Sequence, residues 1–107
     1  MSKLNSDATI LLVDDEPDIL EIVGFNLSSA GYQVITGENG VEAVEKAKRH
    51  KPHLIILDVM MPEMDGIEAC ERIREQDDLS DTIITFLTAR GEDYSQVAGF
   101  DAGADDY

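Results

Sequence analysis

Acidic side chains follow two apolar runs of the sequence at the point where each run ends. Asp14 and Asp15 come directly after the run 10–13, and Asp58 comes directly after the run 54–57. Runs of four consecutive apolar residues are typical of strands that are buried on both faces of a parallel sheet. Ligands of such sheets bind at the carboxyl ends of the strands, so we expect the three carboxylates to meet at one edge.

A hydroxyl group is expected at the same edge, because Thr88 follows a third apolar run, 83–87. Three neighbouring carboxylates repel one another, and a hard divalent cation removes this repulsion. Mg²⁺ prefers oxygen ligands, accepts one or two carboxylates and keeps exchangeable waters for phosphate oxygens. The residue types therefore suit phosphoryl transfer, with Asp58 as a carboxylate nucleophile, Asp14 and Asp15 as metal holders, and Thr88 as a contact to a phosphate oxygen.

Each of these residues has a simpler interpretation when it is taken alone. The acidic residues 14–16 precede Pro17 and could cap the N-terminus of a helix, where they suit the helix dipole. A single Asp or Thr at the end of a strand is usually a turn residue. The joint placement of these residues after three predicted strands is what favours a site over the simpler interpretations.

Predicted strands and helices alternate along the chain. The strands are expected at 10–13, 32–36, 54–57 and 83–87. The first helix is expected from Pro17 to a cap at Gly31, and the second from Asn39-Gly40 to Pro52. The third helix is expected between a loop at 60–65 and a polar connector at 77–81, and the fourth at about 92–102. This alternation implies right-handed crossovers and a parallel sheet with helices on both faces. The second strand is more polar and is placed at an edge. The predicted fold is therefore an α/β, flavodoxin-like, doubly wound sheet with strand order 2-1-3-4.

Length and charge narrow the functional classes. The chain has 107 residues, which is enough for one domain, and 8 basic against 23 acidic residues give a formal net charge of −15. This charge disfavours direct binding of nucleic acid or an anionic membrane, although solubility alone explains most of it. Cys70 is the only cysteine, and no apolar run approaches the ~20 residues of a membrane span. The expected location is cytoplasmic.

Four motifs of this sequence resemble the receiver domain of bacterial response regulators. They occur in the order and with the spacing of that family, over the whole chain, at residues 11–17 (LLVDDEP), 57–66 (LDVMMPEMDG), 87–89 (LTA) and 103–107 (GADDY). The combination is specific, so the chain is identified as similar to a two-component receiver.

The resemblance implies a role for each residue of the acidic cluster. Asp58 would accept a phosphoryl group from a sensor histidine kinase. Asp15 and Asp58 would bind Mg²⁺ directly, together with the main-chain carbonyl of Met60, and Asp14 would hold the metal through a water molecule.

The same resemblance assigns two switch residues and marks one departure. Thr88 would move toward the phosphoryl group, and Tyr107 matches the switch aromatic that turns inward on activation. The family places a lysine a few residues after this aromatic, on a fifth strand, and the sequence ends before it. We therefore expect residues 1–107 to be a receiver domain that is incomplete at its C-terminus, without the fifth strand and the last helix.

The function expected from these features is a signalling module that switches a linked or partner effector. The ending at 103–107 resembles receivers that precede a winged-helix DNA-binding domain, which implies transcriptional control. A Mg²⁺-dependent phosphohydrolase would carry a second Asp two residues after its nucleophile, where this chain has Met60. A pseudo-receiver that binds proteins without accepting phosphate is the other alternative. The open strand 82–87 also predicts self-association.

Overall fold

The computed structural model describes residues 8–61 and 63–87, which form a four-stranded sheet, three α-helices and one short 3₁₀-helix. The strands are β1 (Thr9–Val13), β2 (Gln33–Gly37), β3 (Leu54–Leu57) and β4 (Ile83–Phe86); the helices are α1 (Pro17–Ser29), α2 (Gly40–His50) and α3 (Gly66–Arg74), and the 3₁₀-helix is Asp77–Leu79. Thr88, Tyr107 and the helix predicted at 92–102 lie outside the described residues. Within the described part, no helix is long and apolar enough to cross a membrane.

All strand pairs are parallel, and the order in the sheet is β2-β1-β3-β4. The predicted α/β, flavodoxin-like fold and its strand order are confirmed. Strand β2 lies at an edge, as its polar residues indicated, and the more apolar β1 and β3 lie in the centre. The expectation that the fifth strand is missing concerns positions after residue 87, which lie outside the described part of the chain, so it stays a prediction.

Side-chain caps fix the starts of two helices at the carboxyl edge of the sheet. Asn39 Oδ1 accepts a hydrogen bond from the Glu42 N–H at 2.8 Å, so α2 begins at Gly40. Asp65 Oδ1 accepts from the Glu68 N–H at 2.8 Å at the start of α3. Each cap satisfies a backbone donor that has no partner within its helix. The helix starts therefore surround the edge at which the strands end.

The main core lies between the sheet and the pair of helices α2 and α3. Alternate residues of the central strands point into it, as expected for strands covered on both faces. Its buried members are Leu11, Val13, Ala43, Ala47, Ile55, Leu57, Val59, Ala69, Cys70, Ile73, Leu79, Ile84 and Phe86. Helix α1 covers the opposite face near β1 and β2, because a methyl group added at Gly24 would lie 4.0 Å from side chains of Leu12 and Val34. The rigid centre of the sheet thus carries the residues that follow β1 and β3.

Candidate functional site

Three carboxylates meet at the carboxyl ends of the two central strands. Oxygens of Asp14, Asp15 and Asp58 all lie within 4.8 Å of one another. Asp14 and Asp58 are buried, with 5% and 4% of their surfaces exposed, whereas Asp15 is exposed to solvent. Two carboxylates of the cluster are therefore buried, and the third faces the solvent.

The strand register brings these residues together although 43 positions separate Asp15 from Asp58 in sequence. Val13 pairs with Leu57 in the parallel β1–β3 ladder. The ladder continues one residue further, because the Asp58 N–H donates to the Val13 carbonyl at 3.0 Å. On the other side of β1, the Asp14 N–H donates to the Gly37 carbonyl at 3.1 Å. The backbones that carry the carboxylates are thus fixed by the sheet.

The acidic stretch before α1 does not act as a side-chain cap of that helix. The N-cap residue is Glu16, which makes no side-chain hydrogen bond to the helix. Instead, Asp14 Oδ1 accepts a hydrogen bond from the Glu16 N–H at 2.9 Å. This bond closes the turn after β1 and orients the Asp14 carboxylate within the cluster. The simple capping interpretation of residues 14–16 is therefore not the arrangement in the structure.

Burial raises the pKa of the Asp14 carboxyl above its ordinary value of 3.8. The hydrogen bond from the Glu16 N–H lowers this pKa, and the neighbouring Asp15 carboxylate raises it again through repulsion, so the net direction is upward. A carboxyl group that is held in this way is destabilised in its charged form. A bound cation would relieve the same stress.

The raised pKa predicts that Asp14→Asn stabilises the fold at pH 7 in the absence of divalent cations. The native state binds the Asp14 proton more tightly than the unfolded state, so the contribution of Asp14 to stability falls as pH rises from 3.8 through the raised pKa. The amide keeps an oxygen for the Glu16 N–H. We expect a gain of about 1 kcal/mol, the usual size of a single-site effect.

Urea unfolding in EDTA measures this gain. It should shrink as pH is lowered toward 3.8, where Asp14 takes up its proton. The control is Asp78→Asn, because Asp78 is an exposed aspartate that pairs with Lys51 at the surface. A variant of Asp14 that is less stable than the native chain at pH 7 would contradict the prediction.

The loop that joins β3 to α3 begins directly behind Asp58. We call residues 59–65 the β3–α3 loop; all of them except residue 62 are described. The Gly66 N–H donates to the Val59 carbonyl at 2.9 Å and closes the base of the loop. A Cβ at Gly66 would lie 2.1 Å from the Asp58 carbonyl oxygen. Glycine at this position therefore permits α3 to begin against the backbone of Asp58.

Sequence reasoning placed Gly66 only at the end of the motif 57–66 and missed this close approach. A usable signal existed, because a glycine follows the capping residue of both α2 and α3. Met60 lies in the loop two residues after Asp58, and the residue is 55% exposed. Its proposed contribution is the main-chain carbonyl. The structure thus brings Asp14, Asp15 and Asp58 together, whereas Met60 is placed only by its position two residues after Asp58. Thr88 and Tyr107 lie outside the described residues.

The donor set of the cluster suits a hard cation. The three ligand groups are carboxylates, and no His or Cys belongs to the cluster within the described ranges 8–61 and 63–87. Mg²⁺ takes oxygen ligands and retains several waters, which fits a cluster with one solvent-exposed carboxylate. The residues present therefore fit Mg²⁺.

The profile of the response regulator receiver domain family matches residues 10–107. The chain belongs to this family. Two curated relatives are transcription regulators. PhoP of Bacillus subtilis, the alkaline phosphatase synthesis transcriptional regulatory protein, is 48% identical to this chain over 98 residues. RpaA of Synechocystis, a DNA-binding dual master transcriptional regulator, is 41% identical over 98 residues. Each alignment covers 92% of this chain but only 40% and 41% of the relatives, so the chain spans well under half of their length.

Solved structures agree with the family assignment. The chemotaxis protein CheY4 of Vibrio cholerae has a TM-score of 0.89 at 36% identity. The receiver domain of a sensor histidine kinase from Pseudomonas aeruginosa PAO1 has a TM-score of 0.87 at 33% identity, and its structure contains a magnesium ion coordinated in the active-site cleft. Both comparisons cover 94% of this chain and 83% of the solved chain.

Proposed function

We propose that this chain is a phosphoacceptor: Asp58 receives a phosphoryl group from a sensor histidine kinase, and the modified domain switches an effector. The observation that carries the proposal is the position of Asp58, which ends a central strand with two further carboxylates within 4.8 Å. Family membership supports the same function. The experiment that tests it is phosphoryl uptake by the native chain and by Asp58→Asn.

The chemistry of the transfer is an exchange of bonds at phosphorus. A carboxylate oxygen of Asp58 forms a bond to phosphorus while the bond to the donor atom breaks, and the leaving group keeps the electron pair. The backbone of Asp58 is held in the β1–β3 ladder by the bond from its N–H to the Val13 carbonyl, which fixes the position of the nucleophile before the donor arrives. When bound, Mg²⁺ would reduce the repulsion between the carboxylates and the incoming phosphoryl group.

The ligands proposed for Mg²⁺ are Asp15, Asp58 and the main-chain carbonyl of Met60, with Asp14 acting through water. The 4.8 Å spread of the three carboxylates supports this set. The magnesium ion in the Pseudomonas receiver is a property of that protein and supports the proposal by similarity. Thr88 as the switch hydroxyl and Tyr107 as the switch aromatic remain predictions.

The proposed output is transcriptional control through a linked effector, with a winged-helix DNA-binding domain as the expected type. The names of PhoP and RpaA support this output. The domain itself, with a net charge of −15, is not expected to bind nucleic acid or a membrane directly. We also propose that the protein is cytoplasmic and that its partner is a sensor histidine kinase. In this proposal the domain is a switch and not an enzyme.

Self-association of the 107-residue chain is a further prediction. Ile84 and Phe86 of β4 are buried, but Ile83 is only half-buried, as are Leu54 and Ile56 of β3 on the same face of the sheet. Partly covered apolar surface of this kind favours association. Sedimentation should detect it at tens of micromolar, roughly the range of such aggregation. It should be independent of Mg²⁺, and a monomer throughout would contradict it.

A further inference from the structure

We propose that Gly40 is a positioning residue for the phosphoacceptor site, and that it acts by tying the β3–α3 loop to the start of helix α2. This inference rests on the proposed function, because it concerns how the chain holds Met60 and Asp58 for Mg²⁺. Sequence reasoning treated Gly40 only as the opening of a helix. Two contacts and one backbone angle carry the inference.

The first observation is a direct bond between α2 and the loop. The Gly40 N–H donates to the Met64 carbonyl at 3.0 Å. The first N–H groups of a helix have no partner within the helix, so this bond uses a donor that would otherwise need water. The bond joins two segments that are 24 positions apart in sequence and fixes the far limb of the loop.

The second observation is that only glycine permits this approach. A Cβ at Gly40 would lie 2.1 Å from the Met64 carbonyl oxygen and 2.7 Å from its carbonyl carbon. Both atoms belong to the backbone, so no side-chain rotation relieves the contact. Any larger residue at position 40 must push the loop away from α2.

The third observation is that the loop needs an external anchor. Glu63 has a φ of 69°, in the left-handed region that a residue with a Cβ rarely adopts. Such a conformation persists only when neighbouring contacts hold it. The bond from Gly40 holds the adjacent Met64, and the bond from Gly66 to Val59 holds the base of the loop. Met60 lies between these two anchors.

Because Met60 lies between the anchors, the anchor at Gly40 and a metal ligated by the Met60 carbonyl would stabilise each other. Fixing the loop at one point lowers the conformational entropy that is lost when it is fixed at the other. Such coupling is reciprocal: if the Gly40 anchor favours Mg²⁺ binding, Mg²⁺ must favour the Gly40–Met64 bond. The two halves of this statement can be measured separately.

The first measurement uses the native chain and amide hydrogen exchange followed by NMR, with and without saturating MgCl₂. We expect exchange of the Gly40 amide to slow by about fivefold or more, the low end of typical coupling between sites. The internal control is the Glu42 amide, which lies in the same helical turn but is bonded to Asn39 and not to the loop. Its exchange should change by much less.

The second measurement compares Mg²⁺ affinity in two matched glycine variants. Gly40→Ala should weaken Mg²⁺ binding by about fivefold or more. Gly24→Ala is the control, because the new methyl group on α1 would only make ordinary contacts at 4.0 Å; it should leave Mg²⁺ binding unchanged. If Gly40→Ala does not fold, the exchange measurement on the native chain still decides the question.

The outcomes separate this inference from the proposed function. Equal slowing of the Gly40 and Glu42 amides by Mg²⁺ would indicate general stabilisation and would overturn the role of Gly40, as would an unchanged Gly40 amide. A folded Gly40→Ala variant with native Mg²⁺ affinity would overturn it too. Absence of any saturable Mg²⁺ effect on the Asp58 amide would instead refute the metal site itself, and the coupling with it.

Discussion

Exposure of the chain to acetyl phosphate should place one phosphoryl group on Asp58, and Asp58→Asn should abolish this uptake completely. The reason is that Asp58 combines a backbone fixed by the sheet with two neighbouring carboxylates that can share a cation. The product is an acyl phosphate, which is labile in base and reacts with hydroxylamine, unlike a phosphoserine. Mass spectrometry after borohydride reduction locates the modified residue.

The control for this experiment is Asp78→Asn, which removes an exposed carboxylate that pairs with Lys51 at 3.1 Å. Exposed ion pairs contribute little to stability, so this variant should fold and take up phosphoryl groups as the native chain does. Equal labelling of Asp58→Asn and the native chain would refute the assignment of the acceptor. Labelling that survives hydroxylamine would refute the acyl phosphate.

The double variant Asp15→Asn, Asp58→Asn should lose Mg²⁺ binding. It removes both carboxylates that are proposed to ligate the metal directly and leaves Asp14, which is buried with its Oδ1 bonded to the Glu16 N–H. Among the single variants, Asp14→Asn should lower the Mg²⁺ affinity by about tenfold, which is typical of a group that acts on the metal indirectly. Asp15→Asn should lower the Mg²⁺ affinity by more than this.

Titration with MgCl₂ followed by amide chemical shifts measures these affinities, since the chain contains no tryptophan as an optical probe. Asp78→Asn again serves as the control for loss of a carboxylate far from the cluster. Undiminished binding in the double variant would show that the cluster does not hold the metal. A larger loss for Asp14→Asn than for Asp15→Asn would reverse the proposed direct and water-mediated roles.

The sequence was sufficient to predict the sheet and the meeting of the carboxylates. Unbroken apolar runs marked β1 and β3, and a mostly apolar run interrupted by Thr85 marked β4. The carboxyl ends of parallel strands lie at one edge of the sheet, which placed Asp14 and Asp58 side by side. The helix starts at Pro17 and Gly40 also followed from local chemistry, because proline is favoured at the first helical position and asparagine at the preceding cap.

The contacts of the β3–α3 loop could not be predicted in the same way. Whether Gly40 touches Met64 and Gly66 touches Asp58 depends on how closely α2 and α3 pack at the edge of the sheet, a distance that no local pattern encodes. The unequal burial of Asp14 and Asp15 depends likewise on the turn closed by the Glu16 N–H. Local residue preferences therefore predict where helices and strands occur, whereas the contacts of the site depend on distances between elements that are far apart in the sequence.

The central position of β1 has a consequence for synthesis on the ribosome. Of the four described strands, β1 leaves the ribosome first, but one of its two neighbours in the sheet, β3, is completed about 20 residues after β2. At about 5–20 residues per second, β1 therefore has β2 as its only available neighbour for roughly 1–4 s before β3 is complete. During this interval the nascent chain carries Asp14 and Asp15 without Asp58, so the site can form only after β3 has paired.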